Sequence, residues 1–400
     1  ARDVGAGLPY ATRGRVWSTA TPRVAPHTSA HFRGYSGPMA KVIIVGGGLT
    51  GLTTAFRLCG DTQVHVLEAA SSVGGQIHTD RSAGFAIERG AEGFVFRSEA
   101  VPALAADLGI GDELIGQSVL RSYGFGDDGL RVLAPGEAAA FLSFQVSTAD
   151  LGQGIRTFRR GMASLIWALE DRLRGRAQLQ CDAVATHIEP TDHGASVTLA
   201  DGRRHDADLV IAAAPARATA ALFGPHLGEA VAGLAQAPTL SSVTVELAFE
   251  RAQVDHPLDG TGFVVATDQQ RDGLRAGTFS STKFVGRSPP GQVSLRLFFR
   301  PSPEDVQRLD DDAWTQRALA GVQRIVPVSG RPLRTWVSRW PDALPVFTDG
   351  YQAVVAAAEA ALAPHAIVLA GSAFHGAGID AAVRSGDAAA AATKVRRLTS

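Results

Sequence analysis

The hydrophobic pattern first becomes regular at Lys41, where Val42, Ile43, Ile44 and Val45 form one uninterrupted apolar run. A run without polar alternation predicts a strand buried on both faces, as in a parallel sheet. A helical pattern follows in LTTAFRL, and then a second apolar run from Val64 to Leu67. Farther along, RRGMASLIWALEDRL sets Met162, Leu165, Ile166, Leu169 and Leu173 at helical spacing, which predicts one buried helix face. HIEPTDHGASVTLADGRRHDADLVIAAAPA reads as a hairpin turning at Asp201-Gly202, followed by a buried strand. SSVTVELAF, GFVVATD, GTFSSTKFV and QVSLRLFFR have strand character, the last two joined by a hairpin connection at GRSPPG. Near the end, Ile367 to Leu369 predict a short strand and a helix is expected from about Asp380. Strands alternate with helices at both ends of the chain and stand alone between them. The expected class is therefore α/β, with one domain discontinuous in sequence and a strand-rich domain inserted into it.

Composition changes this picture little. A chain of 400 residues suits roughly two to three domains. With 45% hydrophobic and 19% charged residues it reads as an ordinary globular protein. A formal net charge of -1 gives no global reason to expect a nucleic-acid partner. Cys59 and Cys181 are the only cysteines, which excludes a disulfide framework or a cysteine-rich metal site; both read as buried thiols rather than nucleophiles. QAVVAAAEAALAPHAIVLAG is the most apolar long stretch, but Glu359, Pro364 and His365 argue against a membrane span. Residues 1–38 carry five arginines against the single acid Asp3, with many Ser, Thr, Pro and Gly. They read as a disordered leader ahead of a natural start at Met39, an organelle transit peptide being the lesser reading.

Chemistry enters where the first strand ends. Gly46-Gly47-Gly48-Leu49-Thr50-Gly51 satisfies G-x-G-x-x-G directly between strand and helix. Gly46 permits the tight turn, Gly48 lets backbone approach a pyrophosphate, and Gly51 lets helix and strand pack closely. The helix start, including Leu49 and Thr50, offers unpaired N–H groups and a positive dipole end. The second strand ends at Glu68, near the spacing of about 20 residues expected of a ribose-binding carboxylate. Together these features predict a Rossmann-like dinucleotide site and leave NAD and FAD open.

The pair Gly74-Gly75, with Gln76 after it, resembles the flavin amine oxidase superfamily, where such a pair follows the first dinucleotide unit and helps enclose FAD. Ser72 stands where that superfamily often has an arginine. LAGSAFHGAGIDAAVRSGDAAA is similar to its closing segment, which implies cofactor contacts at Gly371, Ser372, Gly378 and Ile379. The same resemblance implies an adenine contact through the backbone of Val184. GFAIERGAEGFVFRSEAVPALAADLGIGDELI, GTFSSTKFVGRSPPGQVSLRLFF and RWPDALPVFTDGYQAVVAAAEAAL narrow the likeness to the FAD-dependent porphyrinogen oxidases. That family oxidises protoporphyrinogen IX or coproporphyrinogen III to the porphyrin with molecular oxygen, in haem biosynthesis. Membership implies that Arg121 grips a substrate propionate and that Trp340 lies beside flavin or substrate. His375, in the flavin-side loop, is a lesser candidate for proton removal. No catalytic triad or metal cluster is apparent, and no catalytic residue is assigned.

The expected organisation is an FAD-binding domain from residues 39–120, 161–235 and 346–400, with a substrate domain at 236–345. At 121–160 only GEAAAFLSFQVSTADLGQGIRTFRR remains of an insertion that is normally long and mostly helical. This shortening weakens any expectation of membrane docking and implies a reduced substrate site. The expected location is cytoplasmic or peripheral at a membrane, and a homodimer is left open. An amine oxidase-like enzyme and an FAD-binding protein without turnover are the alternative functions.

Overall fold

The computed structural model describes residues 40–141 and 154–399. The expected leader at 1–38 and the middle of the shortened insertion lie outside the described residues.

A five-stranded sheet runs in the order Gln178–Gln180, Gln63–Leu67, Lys41–Val45, Leu209–Ala212, Ile367–Leu369, with every neighbouring pair parallel. Ile43 and Ile44 are fully buried, as a strand covered on both faces requires. On one face pack the helices Leu49–Leu58, Ala163–Leu173 and Ile379–Thr399. The predicted helical stripe from Met162 to Leu173 is buried there. The other face carries the helix Asp349–Leu362 and an antiparallel three-stranded sheet.

That smaller sheet departs from the expected single hairpin. It is a meander of Ala185–Thr191, Gly194–Leu199 and Arg204–Ala207, with a turn at Asp192-His193 before the one at Asp201-Gly202. Gly194 adopts φ +156, and a Cβ there would lie 2.2 Å from the Ala207 carbonyl oxygen. The close strand crossing therefore depends on glycine.

A seven-stranded sheet forms the second layer system, in the order Arg334–Pro345, Thr239–Glu250, Gln292–Phe299, Leu274–Thr278, Gly262–Val265, Tyr123–Gly126, Gly129–Val132. GTFSSTKFV is not one strand: after Thr278 the chain makes a helical turn at Ser280–Lys283, closed by the Lys283 N–H donating to the Phe279 carbonyl at 2.8 Å. Phe279, Lys283 and Phe284 are all buried, an arrangement that strand alternation cannot give. The GRSPPG stretch is thus only the end of a longer connection. The strand-rich part also holds the helix Asp311–Gln323, whose Trp314, Ala318 and Val322 recur every four residues against the sheet. Among the described residues, no helix is long and apolar enough to cross a membrane.

Candidate functional site

The site is built at the carboxyl edge of the parallel sheet. Lys41–Val45 connects through its helix to Gln63–Leu67 on one side and pairs with Leu209–Ala212 on the other. The crevice at such a reversal of strand order is where open α/β sheets bind ligands. Gly46, at φ +114, turns the chain within this crevice, where a Cβ would lie 2.6 Å from the Ala213 carbonyl oxygen. A Cβ on Gly51 would come within 2.0 Å of the Gly46 carbonyl oxygen, so helix and turn meet without room for a side chain. Gly48 differs: a Cβ there would meet nothing within 4 Å, so its backbone faces open space.

Leu49 and Thr50 begin the helix and are buried, with the Thr50 hydroxyl donating to the Ala382 carbonyl at 3.0 Å. What they offer the crevice is backbone N–H, since the first turn of a helix has no intrahelical acceptor. The Glu68 carboxylate follows the second strand. It accepts the Gly47 N–H at 2.7 Å and the Ala70 N–H at 2.8 Å, which fixes it beside the glycine turn. Gly74, at φ +115, bridges to Gly48 and donates to the Gly47 carbonyl at 2.8 Å, and Gly75 follows it in the left-handed region at φ +57. Val184 is brought to the same edge, since its neighbour Ala183 donates to the Glu68 carbonyl at 2.8 Å.

The far end of the chain returns to this crevice. Gly371 follows Ile367–Leu369 at φ +119, and a Cβ on it would lie 3.7 Å from the Thr50 hydroxyl. Ser372 is half-buried beside it. Gly378, at φ +100 with nothing within 4 Å of a Cβ, precedes the helix that starts at Ile379. Gly386 presses that helix onto the first one, where a Cβ would lie 2.8 Å from the Thr53 Cβ. Two helix N-termini and two open glycine backbones therefore share one edge. Oriented N–H groups, positive dipole ends and a carboxylate at the second strand fit a dinucleotide with its pyrophosphate and ribose.

Both ring nitrogens of His375 are engaged by neighbouring side chains. Its Nδ1 lies 2.8 Å from the Ser385 hydroxyl and its Nε2 lies 2.7 Å from the Glu359 carboxylate. Trp340 and Gln76 meet at the junction of the two large sheets. The Trp340 indole N–H donates to the Arg89 carbonyl at 2.7 Å, and the Gln76 amide donates to the Ala343 carbonyl at 2.9 Å. Gly90 makes this contact possible, because a Cβ there would lie 1.8 Å from the Gln76 carbonyl oxygen and 3.3 Å from the Trp340 ring. Arg121 is elsewhere. It precedes Tyr123–Gly126, five strand positions across the sheet from Trp340, a span of roughly 24 Å at the usual spacing. There it forms an exposed ion pair with Asp259, which also accepts from the Tyr123 hydroxyl. The two expected substrate contacts are not brought together. Cys59 is buried, whereas Cys181 is only half-buried, with burial pushing its thiol up.

Sequence reasoning did not anticipate a buried ionic cluster between the sheets. Glu88 accepts from the Met162 N–H at 2.9 Å and the Thr79 hydroxyl at 2.8 Å, and pairs with Arg287 at 3.0 Å. Glu92 pairs with Lys283, and Arg296 lies 3.8 Å from it while donating to the Gly90 carbonyl at 2.5 Å. Glu246 stands beside them, and the group encloses a cavity of about 10 Å³, room for one water molecule. Burial raises the Glu88 carboxyl despite Arg287, and raises that of Glu246 despite Arg296. Burial also pushes Glu92 up, but Lys283 and Arg296 outweigh it and leave its carboxyl below the ordinary range. The one sequence signal was the run Glu88 to Phe94; its ionic partners Lys283, Arg287 and Arg296 lie more than a hundred residues away.

Comparison with known proteins agrees with this geometry. Residues 133–393 match the model of the flavin containing amine oxidoreductases, and residues 44–108 match an NAD(P)-binding Rossmann-like domain. A coproporphyrinogen III oxidase of Bacillus subtilis is 22% identical, covering 87% of this chain and 96% of its own length. The aligned stretch is 459 positions long, more than the 400 residues present here, so that relative carries segments without a counterpart in this chain. A coproporphyrinogen III oxidase of Propionibacterium freudenreichii is 34% identical over 56% of this chain but only 42% of its own length. Among solved structures, a protein from an Exiguobacterium species assigned as a protoporphyrinogen oxidase has a TM-score of 0.77 at 22% identity, covering 90% of this chain and 100% of its own. A flavin-containing family and a dinucleotide crevice converge on one cofactor, FAD. By this match over more than half its length, the chain belongs to the flavin containing amine oxidoreductase family.

Proposed function

We propose that the protein oxidises a porphyrinogen to its porphyrin in haem biosynthesis, with coproporphyrinogen III the first substrate to test. The observation that carries this reading is the likeness to relatives named coproporphyrinogen III oxidase, which extends over 87–88% of this chain and 96% of theirs. When bound, FAD would supply a two-electron acceptor that takes a hydride from the substrate and is reoxidised by oxygen, which with two protons gives hydrogen peroxide. Three such rounds remove the six electrons that separate a porphyrinogen from a porphyrin.

The chain's own contribution is orientation and charge placement. Backbone at Gly46, Gly48, Leu49, Thr50 and Gly51 would hold the pyrophosphate, and Glu68 the ribose. Gly74, Gly75 and Gln76 would enclose the cofactor from the second strand, and the Val184 backbone would meet the adenine. Gly371, Ser372, Gly378 and Ile379 would close the opposite side, the helix dipole from Ile379 favouring the negative charge of a reduced cofactor. Trp340 would border the reacting end. Arg121 would serve a propionate only by exchanging Asp259 for it. The three FAD-binding segments at 39–120, 161–235 and 346–400, the insertion at 121–160 and the substrate domain at 236–345 are part of the same proposal. So are oxygen as acceptor, action in the cytoplasm, and weak or absent membrane association.

Purified protein loaded with FAD should convert coproporphyrinogen III to a fluorescent porphyrin in air, faster than an FAD-free control. A second reading, oxidation of an amine, draws on 41% identity to a polyamine oxidase of rice, though over only 24% of this chain. Peroxide formation with polyamines, and none with coproporphyrinogen III or protoporphyrinogen IX, would decide for that reading.

A further inference from the structure

We infer that His375 is a positioning residue for the cofactor loop, the middle of a hydrogen-bonded relay from Glu359 to Gly371. Glu359 lies on the helix Asp349–Leu362, on one face of the parallel sheet, and Ser385 lies on the C-terminal helix of the other face. His375 connects them around the edge strand Ile367–Leu369, with 2.7 Å to the Glu359 carboxylate and 2.8 Å to the Ser385 hydroxyl. The Ser385 oxygen in turn accepts the Gly371 N–H at 2.8 Å.

The donor directions follow from the chemistry of the groups. An ionised carboxylate only accepts, so Nε2 of His375 carries the proton and donates to Glu359. With the ring neutral, Nδ1 is the acceptor and the Ser385 hydroxyl donates to it. The lone pairs of that hydroxyl are left to accept the Gly371 N–H. Moving the ring proton to Nδ1 would set the Nε2 lone pair against the Glu359 carboxylate, two acceptors facing each other at 2.7 Å.

The relay ends at a sensitive place. Gly371 holds φ +119 and faces Thr50 at the start of the first helix, so its orientation sets how the far loop meets the glycine turn. Ser385 is 4% exposed, and its neighbour Gly386 packs against Thr53 and the Thr50 carbonyl of the first helix. At the other end, His375 and Glu359 line an open cleft of about 500 Å³ with Phe347, Gln352, Phe374 and Gly376. The imidazole is therefore replaceable from solvent, which gives the inference a direct test.

The inference rests on the reading that the 371–378 loop holds FAD, and the test separates the two. Wild-type protein and His375→Gly are titrated with FAD, with flavin fluorescence as the readout and circular dichroism as the fold check. The expected result is an FAD dissociation constant about tenfold higher in the variant, the loss of one to two well-placed hydrogen bonds. Added 4-methylimidazole, which has both a donor and an acceptor nitrogen, should restore affinity. The equally large 1-methylimidazole, which has no N–H, should not. Glu359→Gln should retain most of the affinity, since its amide oxygen still accepts from Nε2–H, whereas Glu359→Leu should match His375→Gly. Unchanged affinity in a folded His375→Gly, or equal rescue by both methylimidazoles, overturns the inference. If His375→Gly does not fold, the Glu359→Gln and Glu359→Leu pair decides by the same readout, equal affinities counting against the relay. Failure of the wild type to bind FAD would instead overturn the cofactor reading.

Discussion

The crevice of the parallel sheet and the junction between the two large sheets are built by opposite means. At the edge of the parallel sheet, backbone does the work: Gly46, Gly48 and Gly51 at one helix start, Gly371 and Gly378 at the other. Between the sheets, side chains do it: Glu88, Glu92 and Glu246 against Lys283, Arg287 and Arg296. A backbone site tolerates changes of side chain but not an added Cβ in a filled space. A buried ionic site tolerates neutral pairs but not a single lost partner, because the remaining charge is left desolvated.

The largest expected effect is therefore in the side-chain region. Arg287→Met removes the partner of Glu88, whose side chain is 5% exposed, and should cost about 3–5 kcal/mol in denaturant unfolding. A loss below about 1 kcal/mol would mean that the cluster relaxes without cost. In the backbone region, Gly48→Ala should behave in the contrary way. Gly48 has φ -71 and open space around it, so the apoprotein should melt as wild type does. The added methyl would occupy the crevice, and FAD affinity should fall by about tenfold or more. Normal FAD binding in that variant would remove Gly48 from the cofactor cradle. Glu68→Ala should weaken FAD retention to a similar or smaller degree while the fold persists, since its carboxylate also organises the Gly47 and Ala70 N–H groups. Unchanged flavin content would count against the ribose role.

Glu246 sharpens the comparison through pH. Burial raises its carboxyl, so the folded state holds that proton more tightly than the unfolded chain. Native stability then falls as pH rises above the ordinary glutamate value of about 4.3 and toward the raised one. Glu246→Gln removes that dependence, so its melting temperature minus the wild-type value should increase as pH rises from about 4. Glu92 runs the other way: its lowered carboxyl gives stability above the ordinary range that is lost as pH falls through the depressed value. A melting difference for Glu246→Gln that shrinks with rising pH would reverse the assignment. The smallest effect belongs to Arg121→Ala. Its ion pair with Asp259 is exposed, and the melting temperature should not change measurably. A raised KM for coproporphyrinogen III without a change in stability would restore Arg121 to the substrate site.

The same contrast explains what could be read in the sequence. Gly46 to Gly51 and Glu68 were legible because a parallel strand, a tight turn and a helix start are adjacent in the chain, and each needs particular residues at fixed spacing. The C-terminal strand and helix were legible for the same reason. The ionic cluster was not, because Glu88 and Arg287 are joined only by the folded topology and carry no spacing rule. GTFSSTKFV misled because β-branched and aromatic residues favour strands. Burying Phe279, Lys283 and Phe284 together required a helical turn instead. His375 was visible as a residue, but its two partners come from helices on opposite faces of the sheet.

Anaerobic mixing of the FAD-loaded protein with coproporphyrinogen III tests the proposed function most directly. The flavin absorbance should bleach on mixing and return on admission of air, with porphyrin fluorescence accumulating over successive rounds. A flavin spectrum that coproporphyrinogen III and protoporphyrinogen IX both leave oxidised would contradict porphyrinogen oxidation by this protein.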